Sequence, residues 1–121
     1  MIDPNFILLY VDNPQTSAAF YTDLLGVAPV EASPTFALFA LKSGLKLGLW
    51  ARHTVQPVAM ASGGGAEIAF AQADRSAVND IYADWVERGV SIAQRPVQMD
   101  FGYTFVALDR DGHRLRVFAP E

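Results

Sequence analysis

The chain has 121 residues, 51% of them hydrophobic and 18% charged, which fits one compact domain burying about two-thirds of its unfolded surface. A formal net charge of -4 leaves no basic footprint for a phosphate backbone, so nucleic acid is not an expected partner. The absence of cysteine removes thiol nucleophiles, thiolate metal sites and disulfides together.

The opening Met1-Ile2-Asp3-Pro4-Asn5 lacks the basic-then-apolar grammar of a signal peptide, and apolar runs such as Phe36 to Leu41 are too short to cross a bilayer. A soluble cytoplasmic protein with no membrane partner is the expectation. Phe6-Ile7-Leu8-Leu9-Tyr10-Val11 is a continuous run of β-formers and predicts a strand buried on both faces. A helix follows, capped by Asp12 or Asn13, with Pro14 in its first turn and Gly26 ending it in the left-handed conformation. Its apolar stripe is read as Phe20, Tyr21, Leu24 and Leu25. Short strands are predicted at Ala28 to Glu31, Phe36 to Leu41 and Lys46 to Ala51, the last two joined at Lys42-Ser43-Gly44.

The second half repeats this order. Glu67 to Ala71 predicts a strand, Asp74 a cap, and Val78, Ile81, Tyr82 and Trp85 the buried stripe of a helix closed by Gly89. Strands follow at Ser91 to Val97, Tyr103 to Asp109 and Arg114 to Ala119, with a turn at Arg110-Asp111-Gly112. Gly26 and Gly89 lie 63 residues apart, and Asp12 and Asp74 lie 62 apart, the mark of a duplicated unit. The predicted class is α+β: one domain of two βαβββ modules, about 1–60 and 66–121, joined at Gly63-Gly64-Gly65. That triple glycine follows no strand and opens no helix, so it reads as a flexible join and not as a phosphate cradle.

Leu9-Tyr10-Val11-Asp12, Phe20-Tyr21, Leu24-Leu25-Gly26-Val27 and the segment Phe105 to His113 together resemble the vicinal oxygen chelate superfamily. That superfamily includes glyoxalase I, extradiol dioxygenases and the bleomycin-resistance proteins. The resemblance implies curled mixed sheets around a central cavity and a homodimer. It also implies four metal-ligand positions, which fall on Phe6, among Leu47, Gly48 and Leu49, on Glu67 and on Arg116. Of these only Glu67 has a donor suited to a cation, and the fixed charge of Arg116 opposes one. No metal and no other cofactor is therefore expected.

Within the superfamily the chain is most similar to metal-free binding proteins, in particular those conferring resistance to phenazine antibiotics. The residues that carry this are Leu49-Trp50, Glu67-Ile68, Asp100 to Phe105 and Asp111-Gly112-His113 with Arg116-Val117. The resemblance implies a small aromatic ligand, with Trp50, Phe101 and Tyr103 as stacking surfaces and Met60 and Met99 adapting to its edge. Glu67 and Arg116 carry two readings: direct ligand contact, with Arg116 meeting a carboxylate or ring oxygen, or an inward salt bridge that shapes the cavity. Trp50 likewise either lines the cavity or covers the edge of the core. Trp85 is read as core, His113 as a turn residue and His53 as solvated.

No serine is flanked by the glycines of a nucleophile elbow, which leaves nucleophilic catalysis without a local signature. Three functions are compatible with the sequence, the third being a regulatory or assembly module whose cavity is vestigial. The first is metal-free sequestration of a planar aromatic compound such as an antibiotic; the second is an enzyme of the same fold, either a glyoxalase-like lyase or isomerase with Glu67 as a base or a metal enzyme such as a dioxygenase.

Overall fold

The computed structural model describes residues 2–61 and 63–120, which form two compact units dividing between residues 62 and 63. The first contains strand β1 (Phe6–Val11), helix α1 (Pro14–Leu25) and strands β2 (Glu31–Ala32), β3 (Phe36–Ala40) and β4 (Lys46–Ala51), followed by a short 3-10 turn. Its sheet has the order β1-β4-β3-β2, with β1 parallel to β4 and the other pairs antiparallel. The second contains β5 (Glu67–Ala71), α2 (Arg75–Glu87), β6 (Ser91–Met99), β7 (Gly102–Leu108) and β8 (Arg114–Pro120), in a sheet ordered β5-β8-β7-β6 with the same pattern of directions. Each unit is thus βαβββ, as the repeat predicted. The clearest departure is β2, expected at Ala28 to Glu31 and found at Glu31–Ala32, so that it is shorter and displaced towards β3.

Local chemistry sets the helix limits. The Asn13 carboxamide oxygen accepts from the backbone N–H of Gln15 at 3.0 Å and of Thr16 at 3.2 Å, and Pro14 follows where its missing N–H costs nothing. At the other end Gly26 has φ +73° and donates to Thr22 O, a conformation that a Cβ would oppose. Asp74 caps α2 through Ala77 N, and α2 ends with Gly89 N bonded to Val86 O and Val90 N to Trp85 O, the paired bonds of a Schellman motif.

One face of each sheet lies against its helix. In the first unit α1 buries Pro14, Ser17, Ala18 and Tyr21, one turn earlier than the expected stripe of Phe20, Tyr21, Leu24 and Leu25. The small side chains of Ser17 and Ala18 let the helix approach the sheet, and Phe20, Leu24 and Leu25 remain half-buried at its flank. Beneath it lie Val11, Ala37, Phe39, Leu47, Leu49 and Ala51, all buried. In the second unit Val78 and Trp85 are buried as predicted, while Ile81 and Tyr82 are half-buried. Trp85 meets Phe70 and Phe105 edge to face at centroid distances of 5.9 and 5.5 Å, so it belongs to the core.

The other face of each sheet is open. The expectation that β1 is buried on both sides is corrected here: its burial alternates, and Phe6, Leu8 and Tyr10 are 49, 45 and 38% exposed. An apolar residue at every position hid a period of two, because the open face is itself built from aromatic and aliphatic side chains.

Candidate functional site

The open face of the second sheet carries the charged candidates. Strand alternation puts Arg114, Arg116 and Phe118 of β8 on this face, while Leu115, Val117 and Ala119 point to the core. The parallel register of Glu67 with Arg114 and of Ala69 with Arg116 sets the Glu67 carboxylate between the two guanidiniums.

Arg116 grips that carboxylate with both sides of its fork: Nε donates to Oε1 at 2.7 Å and a terminal nitrogen donates to Oε2 at 3.0 Å. Its other terminal nitrogen donates to Thr104 Oγ1 at 3.2 Å, and the buried Thr104 hydroxyl donates onward to Val117 O at 2.9 Å. Arg114 Nε lies 3.0 Å from Glu67 Oε2, an ion pair whose alignment is poorer than that of the Arg116 bonds and which adds only weakly to them. The Arg116 hydrogen bonds, helped by the charges of both arginines and opposed by burial, hold the Glu67 carboxyl below its ordinary value.

Aromatic rings flank this charge cluster. Phe101, 45% exposed in the turn between β6 and β7, meets Phe118 edge to face at 6.0 Å, and the Arg116 guanidinium lies 5.7 Å from the Phe101 centroid. Met99, at the end of β6, is opposite Gly102 and so lies on the same face. The second sheet therefore brings together Glu67, Arg116, Phe101 and Met99 from the sequence-predicted set. It adds Arg114, Thr104 and Phe118, which the sequence reading passed over although the alternation from Arg114 to Ala119 marks two of them.

Tyr103 is placed on the opposite face. It is one residue from Thr104, so its ring turns towards α2, where the hydroxyl donates to Asn79 Oδ1 at 2.8 Å and Arg75 lies 4.1 Å above the ring. Trp50 belongs to the open face of the first sheet, half-buried, with the Tyr10 ring edge to face at 6.1 Å and Phe36 opposite it in register. Met60 is in the loop after the 3-10 turn that follows β4 and is 90% exposed.

The histidines do other work. Asp109 Oδ1 accepts from the backbone N–H of Asp111 and of His113, each at 2.9 Å, while Oδ2 holds His113 Nδ1 at 2.8 Å. This carboxylate organises the β7–β8 turn and raises the His113 pKa, chiefly through the hydrogen bond and against the effect of burial. Gly63 packs against the same turn, where an added Cβ would lie 2.9 Å from His113 N, so the first glycine of the join is a close-contact position. His53 is exposed in the 3-10 turn Arg52–Thr54.

A metal does not fit the positions that the resemblance assigns. In the first unit these are Phe6 and, on the open face of β4, Gly48, since Leu47 and Leu49 point to the core. In the second they are Glu67, whose two oxygens are taken by Arg116, and Arg116 itself. Among the described residues no three His, Asp or Glu side chains converge.

The paired βαβββ units and their open faces define a known class of protein. The chain belongs to the Glyoxalase/Bleomycin resistance protein/Dioxygenase superfamily, whose model matches residues 4–117. Over 119 residues, 96% of this chain and 91% of its relative, it is 28% identical to the phenazine antibiotic resistance protein EhpR of Enterobacter agglomerans. A protein of Agrobacterium tumefaciens, solved in solution by NMR, is 55% identical with a TM-score of 0.92, the match covering 100% of this chain and 99% of that one. A glyoxalase-related enzyme from Fulvimarina pelagi, 22% identical, shares the fold with a TM-score of 0.85 over 98% of this chain and 88% of its own. No helix among the described residues is long and apolar enough to cross a membrane.

Proposed function

We propose that this protein binds a small planar aromatic compound, without metal or other cofactor, and acts by sequestering it. The observation that carries the reading is the Arg116 fork on Glu67. It occupies the one carboxylate at the family's ligand positions and lowers its pKa, which makes Glu67 a poor cation ligand and a weak general base. What the second sheet then offers is recognition: Phe101 and Phe118 to stack, Met99 to adapt, and Arg116 with N–H groups left to meet a ring nitrogen or oxygen. Trp50, with Tyr10 and Phe36, offers a further aromatic surface on the first sheet. The relationship to a phenazine resistance protein supports a flat, multi-ring ligand.

Titration of the purified protein with phenazine, followed by tryptophan fluorescence and by recovery of the compound, tests this. Saturable quenching with the compound recovered unchanged is the expected result. Conversion of phenazine, or no saturable binding of it, would contradict sequestration.

A further inference from the structure

We propose that Arg114 is the specificity residue that selects ligands carrying an acid group on their aromatic frame. This rests on the binding function proposed above and names the ligand class for the same face. Two guanidiniums face one carboxylate in the cluster, which leaves one positive charge without a counterpart inside it.

Geometry decides which arginine carries that charge to a ligand. Arg116 is 15% exposed in its side chain, and three of its donors are committed to Glu67 and Thr104. The Arg114 side chain is 41% exposed, and its buried Nε is the one buried side-chain nitrogen or oxygen without a hydrogen bond among the described residues. Arg114 meets Glu67 through Nε alone, off-axis at 3.0 Å, where Arg116 makes a two-pronged contact, so Arg114 is the less committed and the more exposed of the two guanidiniums.

Spacing supports the same assignment. Arg114 and Phe118 are four residues apart on one face of β8, about 13 Å at ordinary strand rise, with Arg116 between them. A multi-ring compound resting on Phe118 and Phe101 would extend across Arg116 and bring a substituent on its far ring to Arg114. Arg116 acts as the floor of the site and Arg114 as its selector.

The test is a calorimetric comparison of phenazine, a phenazine carboxylate and the matching carboxamide with the wild type, Arg114→Gln and Arg114→Lys, with circular dichroism to verify folding. The wild type should prefer carboxylate over carboxamide by about tenfold, in the range of a charge-assisted hydrogen bond. Arg114→Gln should bring that ratio close to one with the carboxamide affinity retained, and Arg114→Lys should keep part of it. An undiminished acid preference in folded Arg114→Gln, or equal losses for acid and amide, would overturn the role of Arg114 while leaving the binding function standing. Failure of all three compounds to bind the wild type would overturn the binding function, and this inference with it.

Discussion

The Glu67 carboxylate is committed to arginine. A carboxylate gripped by one guanidinium and faced by another is held ionised, and its depressed pKa has a consequence for stability. A group whose folded pKa lies below its unfolded value contributes stability above the unfolded value, here near 4.5, and that contribution fades as pH falls through the folded value. Denaturant melts across the acid range should therefore show wild type losing stability that Glu67→Gln does not lose. The effect should be modest, since the pair is partly open to solvent. His113 has the opposite sign. Its raised pKa gives stability that is present below 6.5 and lost as pH rises through the folded value, so His113→Asn should flatten the stability profile on the alkaline side of 6.5. Phe118→Ala should weaken phenazine binding by about 1–3 kcal/mol, the range for lost stacking plus apolar burial, as read by calorimetry.

Among the elements, helix ends were legible in the sequence because capping is local: Asn13, Gly26 and Asp74 need only their immediate neighbours. Faces were less so. The stripe of α1 could not be placed from apolar residues alone, since contact with the sheet is made by Ser17 and Ala18, whose value is their small size. Tyr103 was legible as a strand residue, but its side depends on register, and a shift of one position separates it from Thr104 on the open face. Arg114 and Phe118 were visible as the polar and aromatic half of an alternating strand; what the sequence lacked was the pairing with β5 that sets Glu67 between the two arginines. Register also explains Gly102, which has φ +148° and whose Cβ position is filled by the backbone of Ala119. Gly102→Ala should cost at least about 1–3 kcal/mol in urea unfolding, whereas Gly64→Ala, with open space around it, should lose only the smaller conformational part.

For the whole molecule, the duplication was legible because it repeats a grammar of strand, cap, stripe and terminating glycine at nearly constant spacing, even where side chains differ. Assembly depends on surfaces, and the expectation of a homodimer rests on the resemblance and not on any local pattern. Phe6, Leu8 and Tyr10 form an exposed apolar row on β1, and we expect a second copy of the chain to cover such a surface. Sedimentation at micromolar concentration should report a dimer, and a folded monomer under those conditions would contradict that expectation. The central claim, metal-free binding of a flat aromatic compound, is tested most directly by calorimetric titration of phenazine into protein purified without chelators, before and after exhaustive chelation. The account predicts saturable binding with the same affinity in both preparations. Binding abolished by chelation and restored by one equivalent of a transition metal would contradict it.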